Sequence, residues 1–254
     1  WNYSAEKRNE ITELDISSKE LEGDLSLENF TKLQKLNCAN NQINRLDLSK
    51  SEQLVEVDCS MNKLIEINLK NSKNLLNLYC NDNQLTNLDL SSCENLESLK
   101  VHNSYNEEER DFLNKLPNPE KLKVLRLDAN NVSSNLEPFS GFINLEDLGL
   151  GMNGYSKETT KKRGNKFYGS LEPLKNLNKL KKLDIANTDI DSGFEHLPAS
   201  VEEICCSSKE RSESKVKKIA DDPKLNHLFD LNGNKYTRNW KDIHADFTPQ
   251  LQKL

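Results

Sequence analysis

The chain has 254 residues, long enough for a substantial core, but only 35% are hydrophobic and 30% are charged, which is lean for one globule. Its formal net charge of −6 argues against nucleic acid as the main partner, because that would call for a basic face. No apolar run approaches the ~20 residues of a membrane span, so no membrane span is expected, and no stretch reads as a signal peptide. The start at Trp1 and a helix pattern cut off at Leu254 predict a piece of a longer chain.

Residues 1–10 precede the first periodic segment, and Trp1, Tyr3 and Ile11 are predicted to cap it. From Ile11 the chain repeats. Cys38, Cys59 and Cys80 are spaced by 21 residues, and Asn41, Asn62 and Asn83 follow them three positions later. Around them run Leu33-Gln-Lys-Leu36-Asn-Cys38, Leu54-Val-Glu-Val57-Asp-Cys59 and Leu75-Leu-Asn-Leu78-Tyr-Cys80. Weaker copies start at Ile11, Leu96, Leu122, Leu145, Leu180 and Val201, giving about nine coils over residues 11–208. Such a period marks a stack of small units, none of which can bury its inner face alone.

The string LxxLx(L/C)xxNxL resembles the leucine-rich-repeat signature, and the 21-residue spacing resembles its short-repeat subtype. The resemblance implies an α/β fold, a right-handed leucine-rich-repeat solenoid with a parallel concave β-sheet. It also implies an asparagine ladder, expected along Asn41, Asn62, Asn83, Asn130 and Asn153 and lapsing at Lys19, Ser104, Thr188 and Lys209. Alternation in an extended segment sends Leu36 and Cys38 inward and Lys35, Asn37 and Ala39 outward. The second half of the early coils, such as Ile43-Asn-Arg-Leu46-Asp-Leu48, alternates as well, so the convex side is predicted to be mostly extended or 3₁₀.

Two coils are longer than the rest. The coil from Leu96 carries Phe112, Leu113 and Leu116 at helical spacing before Pro117, predicting one short convex helix over residues 107–116. The coil from Leu145 spans 35 residues, and its excess is assigned to an insertion at 156–167. Lys157, Lys161, Lys162, Arg163 and Lys166 there form a candidate basic finger for an acidic partner. After Ser208 the pattern stops, and residues 209–254 are predicted to be a helical C-terminal cap, beginning with a helix over Ser212–Ala220.

Cys38, Cys59, Cys80 and Cys206 occupy one inward column and are expected to be small buried hydrophobes. Parallel side chains in one column do not point at one another, so disulfides are not expected there. Free thiols favour a reducing, cytoplasmic compartment. The sequons at Asn2, Asn29 and Asn131 leave a secreted chain as the alternative.

Gly149-Leu-Gly-Met-Asn-Gly154 matches a dinucleotide fingerprint, but Leu150 and Asn153 are already explained by repeat columns. The four histidines share no metal spacing. No catalytic set, cofactor or metal is therefore expected, and the chain is read as not an enzyme. What remains is the concave face, whose centre holds Tyr79, Lys100, His102 and Arg126, with Asp58, Asn81 and Asp128 beside them. Tyr and Arg are common interface anchors. Gly149 and Gly151 predict a shallow step that a partner backbone could approach. The expected function is non-catalytic binding of a protein partner through that face. The alternatives are a sensor or scaffold segment of a larger signalling or receptor protein, and a carbohydrate- or small-ligand-binding solenoid.

Overall fold

The computed structural model describes residues 4–104, 116, 118–152 and 163–220. They belong to two compact units, Trp1–Leu122 and Lys123–Leu254, each described by itself. In the first unit a short helix α1 (Ala5–Arg8) leads into β1 (Glu13–Asp15), β2 (Glu22–Ser26), β3 (Lys35–Asn37), β4 (Gln42–Asp47), β5 (Glu56–Asp58), β6 (Glu66–Asn68), β7 (Asn77–Tyr79) and β8 (Ser98–Lys100). Strands β1, β3, β5, β7 and β8 lie side by side in that order, and β2, β4 and β6 form a second sheet. All are parallel and offset by one repeat, so Leu14, Leu36, Val57, Leu78 and Leu99 stand in one row.

Those rows explain why a chain with so few hydrophobic residues folds. Leu36, Val57, Leu78 and Leu99 are each at most 2% exposed, and a buried Leu contributes roughly 1.5–3 kcal/mol relative to exposure. Their neighbours on the strands, such as Lys35 and Asn77, point outward and leave a polar face. The second sheet closes the other side of the core with Ile43, Leu46 and Ile67.

Each concave strand is three residues long because the chain then turns a corner. In the first unit the corner residue has left-handed backbone at Ser18, Asn40, Met61, Asp82 and Asn103, with φ between 52° and 56°. Asn, Asp and Ser suit this conformation better than Met. The next residue is the ladder rung. The Asn62 amide donates to the carbonyls of Cys38 at 3.0 Å and Cys59 at 3.1 Å, and its Oδ1 accepts from Ile43 N–H at 3.0 Å. Asn41 and Asn83 repeat the arrangement. The rungs thereby pair backbone groups that leave the sheet, which would otherwise be buried and unpaired. At the predicted lapse, the Ser104 hydroxyl takes over one rung bond and donates to Cys80 O at 2.6 Å.

The second unit contains β9 (Val124–Arg126), β10 (Asp147–Gly149), β11 (Tyr168–Ser170), β12 (Lys182–Asp184), β13 (Asp189–Ser192), β14 (Glu203–Cys205) and a helix α2 (Lys217–Ala220). β9, β10, β12 and β14 form a parallel row, while β11 pairs with β13 on the other side. Three 3₁₀ turns, Glu137–Phe139, Glu172–Leu174 and Phe194–His196, complete the convex side. The parallel concave strands and the extended and 3₁₀ convex side agree with the expected fold. Phe139, Phe142 and Phe167 pack together, with ring centroids about 6 Å apart, and fill these wider coils.

The long coil departs from expectation. Asn165 is 1% exposed; its Oδ1 accepts from the N–H groups of Asn130 at 3.1 Å and Val132 at 3.0 Å. Its amide donates to Leu127 O at 2.8 Å and Leu150 O at 2.9 Å. Asn165 is thus the rung of this coil, and Phe167 is a core residue. The extra length therefore falls between Met152 and Asn165, ahead of the rung, whereas the expected insertion at 156–167 took in the rung and Phe167. Asn153 and most of the basic finger fall outside the described residues, as do the helix predicted over 107–116 (save Leu116) and the chain after Ala220. The segment expected to be helical from Ser212 shows a helix only over Lys217–Ala220.

Candidate partner-binding face

In the first unit, Asp58, Tyr79 and Lys100 stand in register on β5, β7 and β8. The Lys100 Nζ lies 4.9 Å from the Tyr79 ring centroid. A cation over a ring at a half-exposed site is worth about 0.5–1 kcal/mol, enough to align the ring without fixing the ammonium. Asp58 turns toward its own corner, where Oδ1 accepts from Ser60 N–H at 3.0 Å and Ser60 Oγ–H at 2.6 Å.

Beside this pair is a polar knot that the sequence did not single out. Asp82, in the left-handed corner position, accepts from the side-chain amides of Asn81 and Asn103, both at 2.8 Å. His102 Nε2 is 3.8 Å from the same carboxylate. Asn81 and His102 thus converge on the Asp82 carboxylate. The signal for Asp82 was its place in the corner column, which counts as turn chemistry and not as a surface feature.

In the second unit, Arg126 does not stand free. Its Nη2 is 2.7 Å from Asp147 Oδ1, and its chain lies across Gly149, where a Cβ would collide with Arg126 Cδ and Asp128 Oδ2. A Cβ at Gly151 would strike Asp184 Oδ1 and the backbone of Ala186. Both glycines are buried beneath their neighbours. The expected shallow step is absent because this chain's own side chains occupy it. Burial works against the Arg126 charge, but Asp147 and Asp128 outweigh it and hold the guanidinium above its ordinary range. Asp128 is 6% exposed. Burial and then the like charge of Asp184 push its carboxyl up to about 7, against the pull of Arg126.

The six cysteines are all unpaired thiols. Cys38, Cys59, Cys80 and Cys206 are fully buried, as the repeat column predicts, and so is Cys93 on its convex turn. Burial pushes the Cys38 and Cys93 thiols up to about 12, so neither is a thiolate at neutral pH. Cys205 faces the concave side and is pushed up to about 12, by burial first and the Asp184 charge second. Low-pKa nucleophile chemistry is not built here. Among the described residues no three His, Cys, Asp or Glu side chains gather to hold a metal ion, and no helix is long and apolar enough to cross a membrane.

The repeat and the fold are those of a leucine-rich-repeat protein. An internalin from Listeria monocytogenes superposes with a TM-score of 0.51 at 20% identity, covering 84% of this chain and 74% of its own. A leucine-rich-repeat protein of Leptospira interrogans gives 0.54 at 16% identity, over 75% and 54%. The leucine-rich-repeat ectodomain of the Arabidopsis thaliana membrane receptor kinase GASSHO1/SCHENGEN3, solved in complex with CASPARIAN STRIP INTEGRITY FACTOR 2, gives 0.55 at 20% identity. That match covers 76% of this chain and 27% of the ectodomain. No protein-family model and no curated protein matches the sequence.

Proposed function

We propose that the chain is a non-catalytic recognition module that binds a protein or peptide partner through its concave face. The observation that carries this reading is the Tyr79–Lys100 pair on the neighbouring concave strands β7 and β8. Tyr79 offers a rigid apolar surface with a polar tip, and Lys100 offers a cation that makes no ion pair among the described residues. Such a pair suits a partner segment with an apolar residue followed by a carboxylate. Asp58, Asn81 and His102 are the polar rim. In the second unit, Arg126 and Asp128 are each held by their neighbours and are not proposed as anchors. The Arabidopsis ectodomain, solved with its bound factor, supports use of this scaffold for recognition.

The six unpaired thiols support a reducing, cytoplasmic setting. A second reading, a sensing or scaffolding segment of a larger signalling protein, draws support from the 27% and 54% of the Arabidopsis and Leptospira chains that this one spans. An acidic partner at Lys157–Lys166 is part of the same proposal. A carbohydrate-binding solenoid is weaker, because Tyr79 is the one aromatic on the described concave strands. Affinity capture with the wild-type chain, repeated with Tyr79→Ala/Lys100→Ala and with residues 156–162 deleted, separates the readings. The concave reading predicts that the double variant alone loses the captured protein. Loss only on deletion of the loop moves the site to the basic finger.

A further inference from the structure

Two glycines of the second unit give their side-chain space to residues from the coils on either side. Arg126 Cδ and Asp128 Oδ2 lie over Gly149, and Asp184 Oδ1 lies over Gly151. Asp128 follows β9 and Asp184 ends β12, so β10 runs between them. A side chain at either glycine would hold the two carboxyls apart. Its absence lets both lean in over the same strand.

The company of Asp128 makes that approach costly. Asp128 is 6% exposed. It is faced by Arg126 on β9, Asp147 on β10, Asp184 on β12 and the Cys205 thiol on β14. Burial keeps Cys205 protonated, so it brings no charge. Arg126 is the one cation named, and Asp147 already takes it, with Oδ1 2.7 Å from Nη2. With all three carboxyls ionised, one guanidinium would face three negative charges in a site closed to water. Nor is Asp184 free to swing away. Its Oδ1 accepts from Ala186 N–H at 2.9 Å, and its carbonyl accepts from Leu150 N–H at 2.8 Å and Gly151 N–H at 3.0 Å.

We propose that Asp128 and Asp184 form a proton-operated latch: one proton held by the pair keeps both carboxyls folded over Gly149 and Gly151, and its release to solvent opens this patch while the apolar columns beneath stay packed. The latch acts on Arg126, which shares its seat over Gly149 with Asp128. The charge presented by the concave face of the second unit therefore changes with pH. The Tyr79–Lys100 pair belongs to the first unit, so the latch stands apart from the recognition reading. The direction of the switch follows from Asp128. Its carboxyl is held at about 7 in the closed patch, by burial first and the Asp184 charge second, against about 3.9 once solvated. The closed patch thus binds more proton. Opening becomes easier as pH rises from about 4 and levels off above about 7.

The test is amide hydrogen exchange on the full chain, corrected for the intrinsic rate at each pH. Gly151 and Ala186 report the latch. Leu174 and Leu177, whose N–H groups donate to Leu171 O at 2.9 Å and Leu174 O at 3.0 Å, are controls in the same unit. Protection at Gly151 and Ala186 is expected to fall by up to about tenfold per pH unit between about pH 4.5 and 7 and then to level off, while the controls hold. Asp128→Asn should keep Gly151 equally protected throughout. Asp184→Asn should shift the levelling-off to lower pH. Any of three results overturns the proposal: protection at Gly151 and Ala186 that ignores pH, a parallel fall at Leu174 and Leu177, or a fall unchanged by Asp128→Asn. Should Asp128→Asn not fold, carbon-13 titration of the Asp128 carboxyl in the wild-type chain decides, and a midpoint below about pH 5 overturns the latch.

Discussion

At the scale of single residues, the ladder asparagines and the buried Asp128 carry the sharpest consequences. Asn62 is 8% exposed and pairs backbone groups from two neighbouring coils, so Asn62→Ala leaves donors and acceptors unpaired. A loss of about 1–3 kcal/mol is expected, read as a lower urea midpoint at unchanged slope. Asp128 makes stability depend on pH. Its folded pKa, pushed to about 7, lies above the unfolded value near 3.9. The folded state therefore holds more proton than the unfolded one between those limits. The contribution is fully present below pH ~4 and is lost as pH rises through about 7. Asp128→Asn should flatten that slope and raise the melting temperature at pH 8, where the native chain buries a charge beside Asp184. A variant that leaves the pH dependence of melting unchanged would show that Asp128 is not the group responsible. Gly149→Ala is a third residue-scale case, because the new methyl displaces Arg126 from its seat over the glycine. Destabilisation of roughly 1–3 kcal/mol follows from overpacking.

At the scale of elements, the corner column and the segment after the repeats matter most. Ser18, Asn40, Asp82 and Asn103 suit left-handed backbone, whereas Met61 sits at φ 54° with 56% of its surface exposed. Met61→Asn should gain about 1 kcal/mol, seen as a higher thermal midpoint. The segment after the last strand is tied down by Arg211, whose Nη2 reaches both oxygens of Asp189 at 2.9 and 2.8 Å while Nη1 donates to Asn187 O at 3.1 Å. Both side chains are only 17% exposed, so breaking this pair is costlier than breaking a surface one. Arg211→Ala should therefore release residues 208–220 to fast hydrogen exchange while β9 and β10 stay protected. Much of this level was legible in the sequence. The cysteine register fixed the phase of every early strand, so Leu36 pointed in and Tyr79 pointed out. The rung at Asn165 was not legible, because Asn153 also satisfies the motif at the expected distance. Only three-dimensional pairing distinguishes an asparagine that closes a coil from one that precedes an inserted loop.

At the scale of the whole molecule, a thin core leaves one polar face per coil outward, and that is the face proposed for recognition. The direction of each side chain on that face was predictable from alternation; its company was not. Arg126 carries the same outward phase as Tyr79, yet three aspartates and a glycine seat hold it down. Lys100 lies over the Tyr79 ring and makes no ion pair among the described residues. Sequence distance hides such differences, because Asp147 and Asp184 belong to coils 21 and 58 residues away from Arg126. The concave claim is tested most directly by photo-crosslinking from a reactive amino acid placed at position 79, compared with one at position 66 on the second sheet. The account predicts that position 79 captures the partner and position 66 does not. Capture from position 66 alone, with the chain folded in both cases, would contradict it.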